Sequence, residues 1–186
     1  MTREDILEAA AQVFRQKGFH GASMNDIAEA VNLQKASLYH HVSSKQEILL
    51  EILGRALQML LERISPITSQ NIPADKKLRL MIREYMQILA ENGDLATVLL
   101  FEHRALERRQ HARHVPNRDH FESLWRDVLS EGVDAKLFQC EDVPLTARAL
   151  LGLLNWTITW YHPDGEKTIE QIADDYSNLL LNGLLT

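Results

Sequence analysis

"ASMNDIAEAVNLQKASLYHHVSSKQEIL" occupies residues 22–49. Ser23 is a natural helix N-cap, and Asp26 three residues on completes a capping-box pattern, so a helix opens there with Ile27, Ala28 and Val31 turned inward. It stops at Asn32, which tolerates the left-handed backbone better than most residues. A second short helix begins near Gln34 or Lys35 and ends near Val42, with Leu38 and Val42 as its inward residues. "VSS" breaks it. Ser44, with Glu47 three residues on, then caps a long helix. Two short helices joined by a tight turn and braced by neighbours make a helix-turn-helix arrangement.

Away from this stretch, almost every segment carries apolar residues at three and four spacing, and none alternates as a strand does. The fold class is all-α. The first helix spans about Thr2 to Gln16, capped by Thr2 and ended by Gly18. The fourth runs from Lys45 to about Ile64, before a connection that holds Pro66 and Pro73. A fifth covers residues 76–92. Asp94 is positioned to cap a sixth, interrupted at Pro116 and Asn117, and "DHFESLWRDVLSEGV" resumes it. "LTARALLGLLNWTITWY" (residues 145–161) is apolar around much of its circumference. "TIEQ" (168–171) is a capping box opening the last helix, whose apolar side is Ile169, Ile172, Tyr176, Leu179, Leu180 and Leu184.

The 186 residues suffice for one large domain or two small ones. The expected division is residues 1–46 for the helix-turn-helix domain and 47–186 for a larger helical body. Net charge is −6, which weighs against nucleic acid unless the positive footprint is local. Residues 1–45 balance Arg3, Arg15, Lys17, Lys35 and Lys45 against Glu4, Asp5, Glu8, Asp26 and Glu29, so the acidic excess lies beyond them. The single Cys140 makes no internal disulfide, and the opening residues lack the basic segment and apolar core of a signal peptide. No apolar run is long enough to span a bilayer. The expectation is a cytoplasmic protein with no membrane partner.

On a helical projection, Gln34, Lys35, Ser37, Tyr39 and His40 lie around the outer side of the third helix. A face of donors with little room for bulky apolar groups suits the major groove, where base edges present donors and acceptors. A solvated polar helix is the plainer alternative. Ser23 and Lys45 bracket the helix with a hydroxyl and an ammonium, both common phosphate ligands. A metal site is disfavoured, because adjacent His40 and His41 point about a third of a turn apart and no ligand partner stands beside them.

The same stretch resembles the helix-turn-helix of TetR-family transcriptional regulators, carried by Asp26, Ile27, Ala28, Ala30, Ala36, Ser37, Leu38, Tyr39, His41, Ser44, Lys45 and Ile48. The resemblance implies that Ser23, Gln34, Lys35, Ser37, Tyr39, His40 and Lys45 line double-stranded operator DNA. Ser23 stands where the family usually has Thr, Asn32 where it has Gly, and Val42 where it has Phe. Residues 131–184 are similar to the C-terminal domain of TetR-type regulators that respond to acyl-CoA thioesters, through the "LTARALLGLLNW" helix, the "WYHPDG" turn and the capped last helix. That similarity implies a small-molecule effector with a long apolar part and an anionic head, and release of DNA when it binds; no catalytic constellation stands at a diagnostic spacing, and no cofactor or metal is expected.

The candidate effector-binding residues are Tyr85, Phe121, Trp125, Trp156 and Trp160 as apolar lining, Arg104, Arg108 and Arg148 for phosphates, and Asn155 for a carbonyl. Core packing is the bland reading for the aromatics, and a solvated basic face for the arginines of "HRALERRQHARH" (103–114). The two C-terminal helices offer half of a four-helix interface, with Gly152 and Gly183 permitting close approach, so a homodimer is expected; the alternative is that both fill the monomer core. Two readings compete with a ligand-released repressor. One is an activator built from the same parts. The other is a small-molecule enzyme with an N-terminal partner module, supported only by the His111/His114 pair and the arginine cluster.

Overall fold

The computed structural model describes residues 2–184, Leu184 by its backbone alone, so the expected apolar role of the Leu184 side chain lies outside the described residues. The described chain folds as α1 Arg3–Gly21, α2 Met24–Ala30, α3 Lys35–Leu38, α4 Lys45–Thr68, α5 Ala74–Glu91, α6 Gly93–Thr97, α7 Arg108–Asp134, α8 Val143–Trp156 and α9 Ile169–Leu184. A π-helical turn (Val98–Glu102) and a 3₁₀ turn (His103–Ala105) lie between α6 and α7, and a 3₁₀ turn (Thr157–Thr159) follows α8. The all-α expectation holds.

The chain forms two compact units. The first comprises residues 1–58 and 92–118, the second residues 59–91 and 119–186. α4 and α7 contribute residues to both. The first unit is therefore larger than a helix-turn-helix ending at residue 46, because α6 and the π-helical turn pack on α1.

In the first unit, Thr2 and Asp5 form a reciprocal capping box at the start of α1. Ile6, Ala10 and Phe14 recur at helical spacing and are fully buried. Gly18 breaks α1 with φ 69° and ψ 159°, a backbone that a side chain disfavours, and one last helical turn follows to Gly21. Ser23 and Asp26 box the start of α2. Asn32 takes φ 54°, the left-handed conformation read from the sequence. Ile27, Leu38, Val42, Ile48 and Ile52 complete the core.

In the second unit, α5 packs along α9. Leu78, Met81, Ile82 and Tyr85 of α5 are buried with Trp125 and Leu129 of α7 and Leu150 and Leu154 of α8. Asp142 caps α8 by accepting from Leu145 N at 2.9 Å. The expected box at α9 forms: Thr168 N donates to Gln171 Oε1 at 2.9 Å, and Gln171 N to Thr168 Oγ1 at 3.3 Å. The turn that follows α7 carries Lys136 at φ 59°. Phe138 folds back so closely that a Cβ on Gly132 would sit 2.1 Å from its ring.

Two expected breaks are absent. α4 runs through Pro66 to Thr68 and α7 through Pro116. Proline removes one N–H from the ladder and crowds the carbonyl four residues earlier. Burial on both sides outweighs that loss: Ile64 and Ile67 bracket Pro66, and His114 and Phe121 bracket Pro116. The reverse holds at residues 94–108, where one continuous helix was expected. Asp94 caps nothing. It lies inside α6 and pairs with Arg15 at 2.6 Å. Leu106 adopts an extended backbone (ψ 131°) that separates the 3₁₀ turn from α7.

Candidate nucleic-acid interface and effector site

α3 is four residues long, and Val42 N donating to Leu38 O at 3.1 Å continues its path. Leu38 is fully buried and Val42 nearly so, which fixes the rotation of the helix. That rotation leaves Gln34, Lys35, Ala36, Tyr39 and His40 exposed or half-exposed and Ser37 half-buried. None of the side chains of Gln34, Lys35, Ser37, Tyr39 or His40 hydrogen-bonds or ion-pairs within the described residues. Tyr39 is 47% exposed, unusual for an aromatic ring without a partner. The expected outer face, carried by α3 and the residues that flank it, is thus a set of unengaged donors.

The flanking residues differ from that pattern. Ser23 Oγ donates to Asp26 Oδ2 at 2.7 Å and accepts from Asp26 N at 3.2 Å, so its hydroxyl is engaged as a cap. Lys17, 2.5 Å from Asp26, and then Ser23 hold the Asp26 carboxyl well below the usual carboxylate range. Lys45, expected to reach a phosphate, is turned onto its own chain. Its Nζ donates to Phe19 O at 2.7 Å and Ala22 O at 2.6 Å and lies 4.3 Å from the centre of the Phe19 ring. Two of its three ammonium hydrogens therefore fasten the α1–α2 corner.

That corner is held from the other side as well. Phe19 N, freed by the Gly18 break, donates to Glu102 Oε2 at 3.0 Å. Gln46, beside Lys45, clasps the returning chain: Nε2 donates to Ala105 O at 2.9 Å, and Oε1 accepts from Glu107 N at 3.1 Å. Arg3 donates to His41 O at 2.7 Å, at the end of the α3 turn, and pairs with Glu51 of α4. Sequence spacing offers no sign of Arg3, Gln46 or Glu102, because each acts across dozens of residues. The only local hint is Gly18, which marks a broken helix but not its partner.

Charge divides with the units. The first carries eleven Lys and Arg against ten Asp and Glu, and the second nine against sixteen, so the acidic excess of the chain resides in the second. The unit holding α3 is the one electrostatically suited to a polyanion.

The expected effector residues do not all gather. Tyr85, Phe121 and Trp125 form one aromatic cluster in the second unit, with ring centroids 5.8, 5.7 and 6.3 Å apart. Tyr85 Oη donates to Asn155 Oδ1 at 2.5 Å. Full burial pushes the Tyr85 hydroxyl above its ordinary value. Trp156 and Trp160, expected as apolar lining, are instead 64% and 42% exposed. The inward side of α8 is Ala147, Leu150 and Leu154, and Trp156 falls on the opposite side with Leu145, Ala149 and Gly152. Arg148 is exposed and pairs with Glu122 at 3.4 Å. Arg104 and Arg108 are exposed and belong to the first unit. His111 and His114 are not presented together: His111 is exposed, whereas His114 is buried against His103, ring centroids 6.5 Å apart. No helix among the described residues is long and apolar enough to cross a membrane.

Residues 6–52 match the model of bacterial regulatory proteins of the tetR family, and residues 71–184 match the tetracyclin repressor-like C-terminal domain. The chain is 26% identical over 184 residues to the HTH-type transcriptional repressor KstR2 of Mycobacterium tuberculosis, covering 98% of this chain and 92% of that one. Its fold is similar to that of the TetR family transcriptional regulator PfmR from Thermus thermophilus, at 36% identity and a TM-score of 0.86, with 95% and 97% of the two chains covered. It is similar also to AibR in complex with isovaleryl coenzyme A and operator DNA, at 27% identity and a TM-score of 0.90, with 96% and 97% covered.

Proposed function

Because the chain belongs to the TetR family of transcriptional regulators, we propose that it binds a palindromic operator as a homodimer and leaves it when an acyl-CoA thioester binds. The observation that carries the DNA reading is the unengaged donor face of α3. Gln34, Tyr39 and His40 read base edges, Lys35 and Ser37 meet the backbone, and Ser23 and Lys45 act by holding the corner from which α3 projects. Residues 1–46 do the reading, and residues 47–186 bind the effector and the second copy. The protein acts in the cytoplasm, where its operator is.

The dimer face is the outer side of α8. Leu145, Ala149, Gly152 and Trp156 recur at helical spacing and are exposed, and Leu179 of α9 is 64% exposed. Large apolar side chains left bare in this way favour a covering partner. One α3 reads only a few base pairs, whereas two mounted on a two-fold axis read both half-sites and make affinity sensitive to their separation. The chain passes between the units within α4, at the α5–α6 junction and within α7, and the coupling is assigned to the two continuous helices. A coupling of about 1–3 kcal/mol suffices for a useful switch.

The effector class is supported by the aromatic cluster around Tyr85 and by the likeness to AibR, which was solved with isovaleryl coenzyme A. The test is fluorescence anisotropy on a labelled duplex from the promoter beside the protein's own gene. Binding is expected to fall steeply with salt, and micromolar acyl-CoA, but not free coenzyme A, is expected to release the duplex. Retention of the duplex across acyl chains of two to eighteen carbons would remove the effector assignment and leave the DNA assignment intact.

A further inference from the structure

The second unit holds buried hydrogen-bond donors without acceptors. Trp125 is fully buried, and its Nε1–H has no partner. Thr157, 2% exposed in the turn that follows α8, has an unpartnered Oγ1. Asn155, two residues before it, accepts from Tyr85 through Oδ1, and its amide N–H groups make no hydrogen bond to described residues. Tyr85 ties these groups together: its ring stands edge-on to Trp125, and its hydroxyl rests on Asn155.

Leaving a buried donor unmade is unfavourable, and a core aromatic that needs no hydrogen bond is simply a phenylalanine. Phe121 shows that the cluster accommodates one. A fully buried tryptophan whose N–H has no partner, joined through Tyr85 to an amide with unused donors, is arranged for an acceptor. The acceptor is uncharged. Tyr85, Phe121 and Trp125 present no cation, and the α5 cations on neighbouring turns are engaged elsewhere, Lys77 with Glu131 and Arg83 with Asp174. A buried carboxylate or phosphate without a cation would be strongly disfavoured, whereas a carbonyl oxygen needs only donors.

We propose that Trp125 Nε1–H, with the Asn155 amide, forms a recognition station for a neutral carbonyl of the effector, the thioester C=O of an acyl-CoA. The proposal rests on the effector class assigned above, and it specifies that the acyl end enters the second unit with its carbonyl bonded, not merely its tail buried. Aliphatic tails with no carbonyl at this depth are poor ligands.

The experiment compares release of the operator duplex by isovaleryl-CoA and by its thioether analogue, 3-methylbutyl-CoA, which keeps shape and phosphates but lacks the carbonyl. For the unmodified protein, half-release by the thioether is expected to need about ten times more ligand, the equivalent of one buried hydrogen bond. Trp125→Phe is expected to erase that ratio, which is read between the two ligands within the variant and so stands apart from any change in its affinity for both. In the unmodified protein, the ¹⁵N-labelled Trp125 indole N–H resonance is expected to move downfield with the thioester and not with the thioether, a readout that needs no substitution. Equal release by both ligands, a ratio that survives Trp125→Phe, or an indole resonance that ignores the thioester would overturn the proposal while leaving the effector class standing. Failure of the thioesters of two to eighteen carbons, isovaleryl-CoA among them, to release the duplex would instead remove the effector class and the proposal with it.

Discussion

Replacing Lys45 by methionine separates a fastener from a DNA contact. Methionine keeps the apolar stem and deletes the ammonium, which donates to Phe19 O at 2.7 Å and Ala22 O at 2.6 Å and lies over the Phe19 ring. Hydrogen bonds from a charged group contribute about 1.5–3 kcal/mol each, and a partly exposed cation–π contact about 0.5–1 kcal/mol. Lys45 is half-buried, so water replaces part of this, and the net loss of stability is set at about 2–4 kcal/mol. With a urea m-value of about 2 kcal/mol/M, the midpoint followed by circular dichroism should drop by about 1–2 M. The second half of the prediction is electrostatic. Losing a phosphate contact lowers the slope of log K against log salt by about 0.9, whereas losing a fastener weakens binding at every salt concentration and leaves the slope alone. Lys45→Met is therefore expected to lower stability and affinity at unchanged slope. A variant of unaltered stability whose slope falls by about one unit would refute the reasoning.

Three further outcomes follow from the same geometry. Glu102→Ala should weaken operator binding about tenfold by releasing Phe19 N, and Glu102→Gln, which keeps an acceptor oxygen, should recover most of it; equal loss in both would show that the hydrogen bond is irrelevant. Trp156→Glu on the exposed side of α8 should convert the dimer to monomer in sedimentation and abolish binding to a two-half-site duplex, and a dimer that persists would place the interface elsewhere. Burial, and then Arg104 and Arg118, hold the His103 imidazole below its ordinary value. The folded state thus resists protonation that the unfolded chain accepts, so His103 should subtract stability as pH falls through the ordinary histidine range, about 6.5, towards its lowered folded value. Urea titrations at about pH 7.5 and about pH 5.5 should show a smaller acid loss for His103→Gln than for the unmodified protein.

The helix-turn-helix is legible because its signals are local. The Ser23/Asp26 box, the left-handed Asn32 and the inward pair Leu38 and Val42 are each decided within one or two turns of chain, and they rotate Gln34, Lys35, Tyr39 and His40 outward. The breaks are less legible. Pro66 and Pro116 announce ends that burial of their neighbours overrules, and the Asp94 N-cap signal is overridden by an ion pair to Arg15, 79 residues away. Trp156 shows the same limit on the effector side. An aromatic in an apolar helix belongs to a core or to an interface depending on its rotation, and only the packing of Ala147, Leu150 and Leu154 sets that rotation. Lys45 is recognisable as important from its place in the pattern, but its role lies in carbonyls that the Gly18 break leaves exposed.

The most direct measurement is selection of bound sequences from a random duplex library, carried out in parallel with the unmodified protein, Gln34→Ala and Lys35→Ala. The unmodified protein should enrich a palindrome whose half-sites are centred about one helical turn, or a multiple of it, apart. Gln34→Ala should relax one symmetric pair of base positions, and Lys35→Ala should return the same palindrome with weaker, less salt-dependent binding. Enrichment of no palindrome, or three indistinguishable selections, would contradict the assignment of α3 as the reading surface.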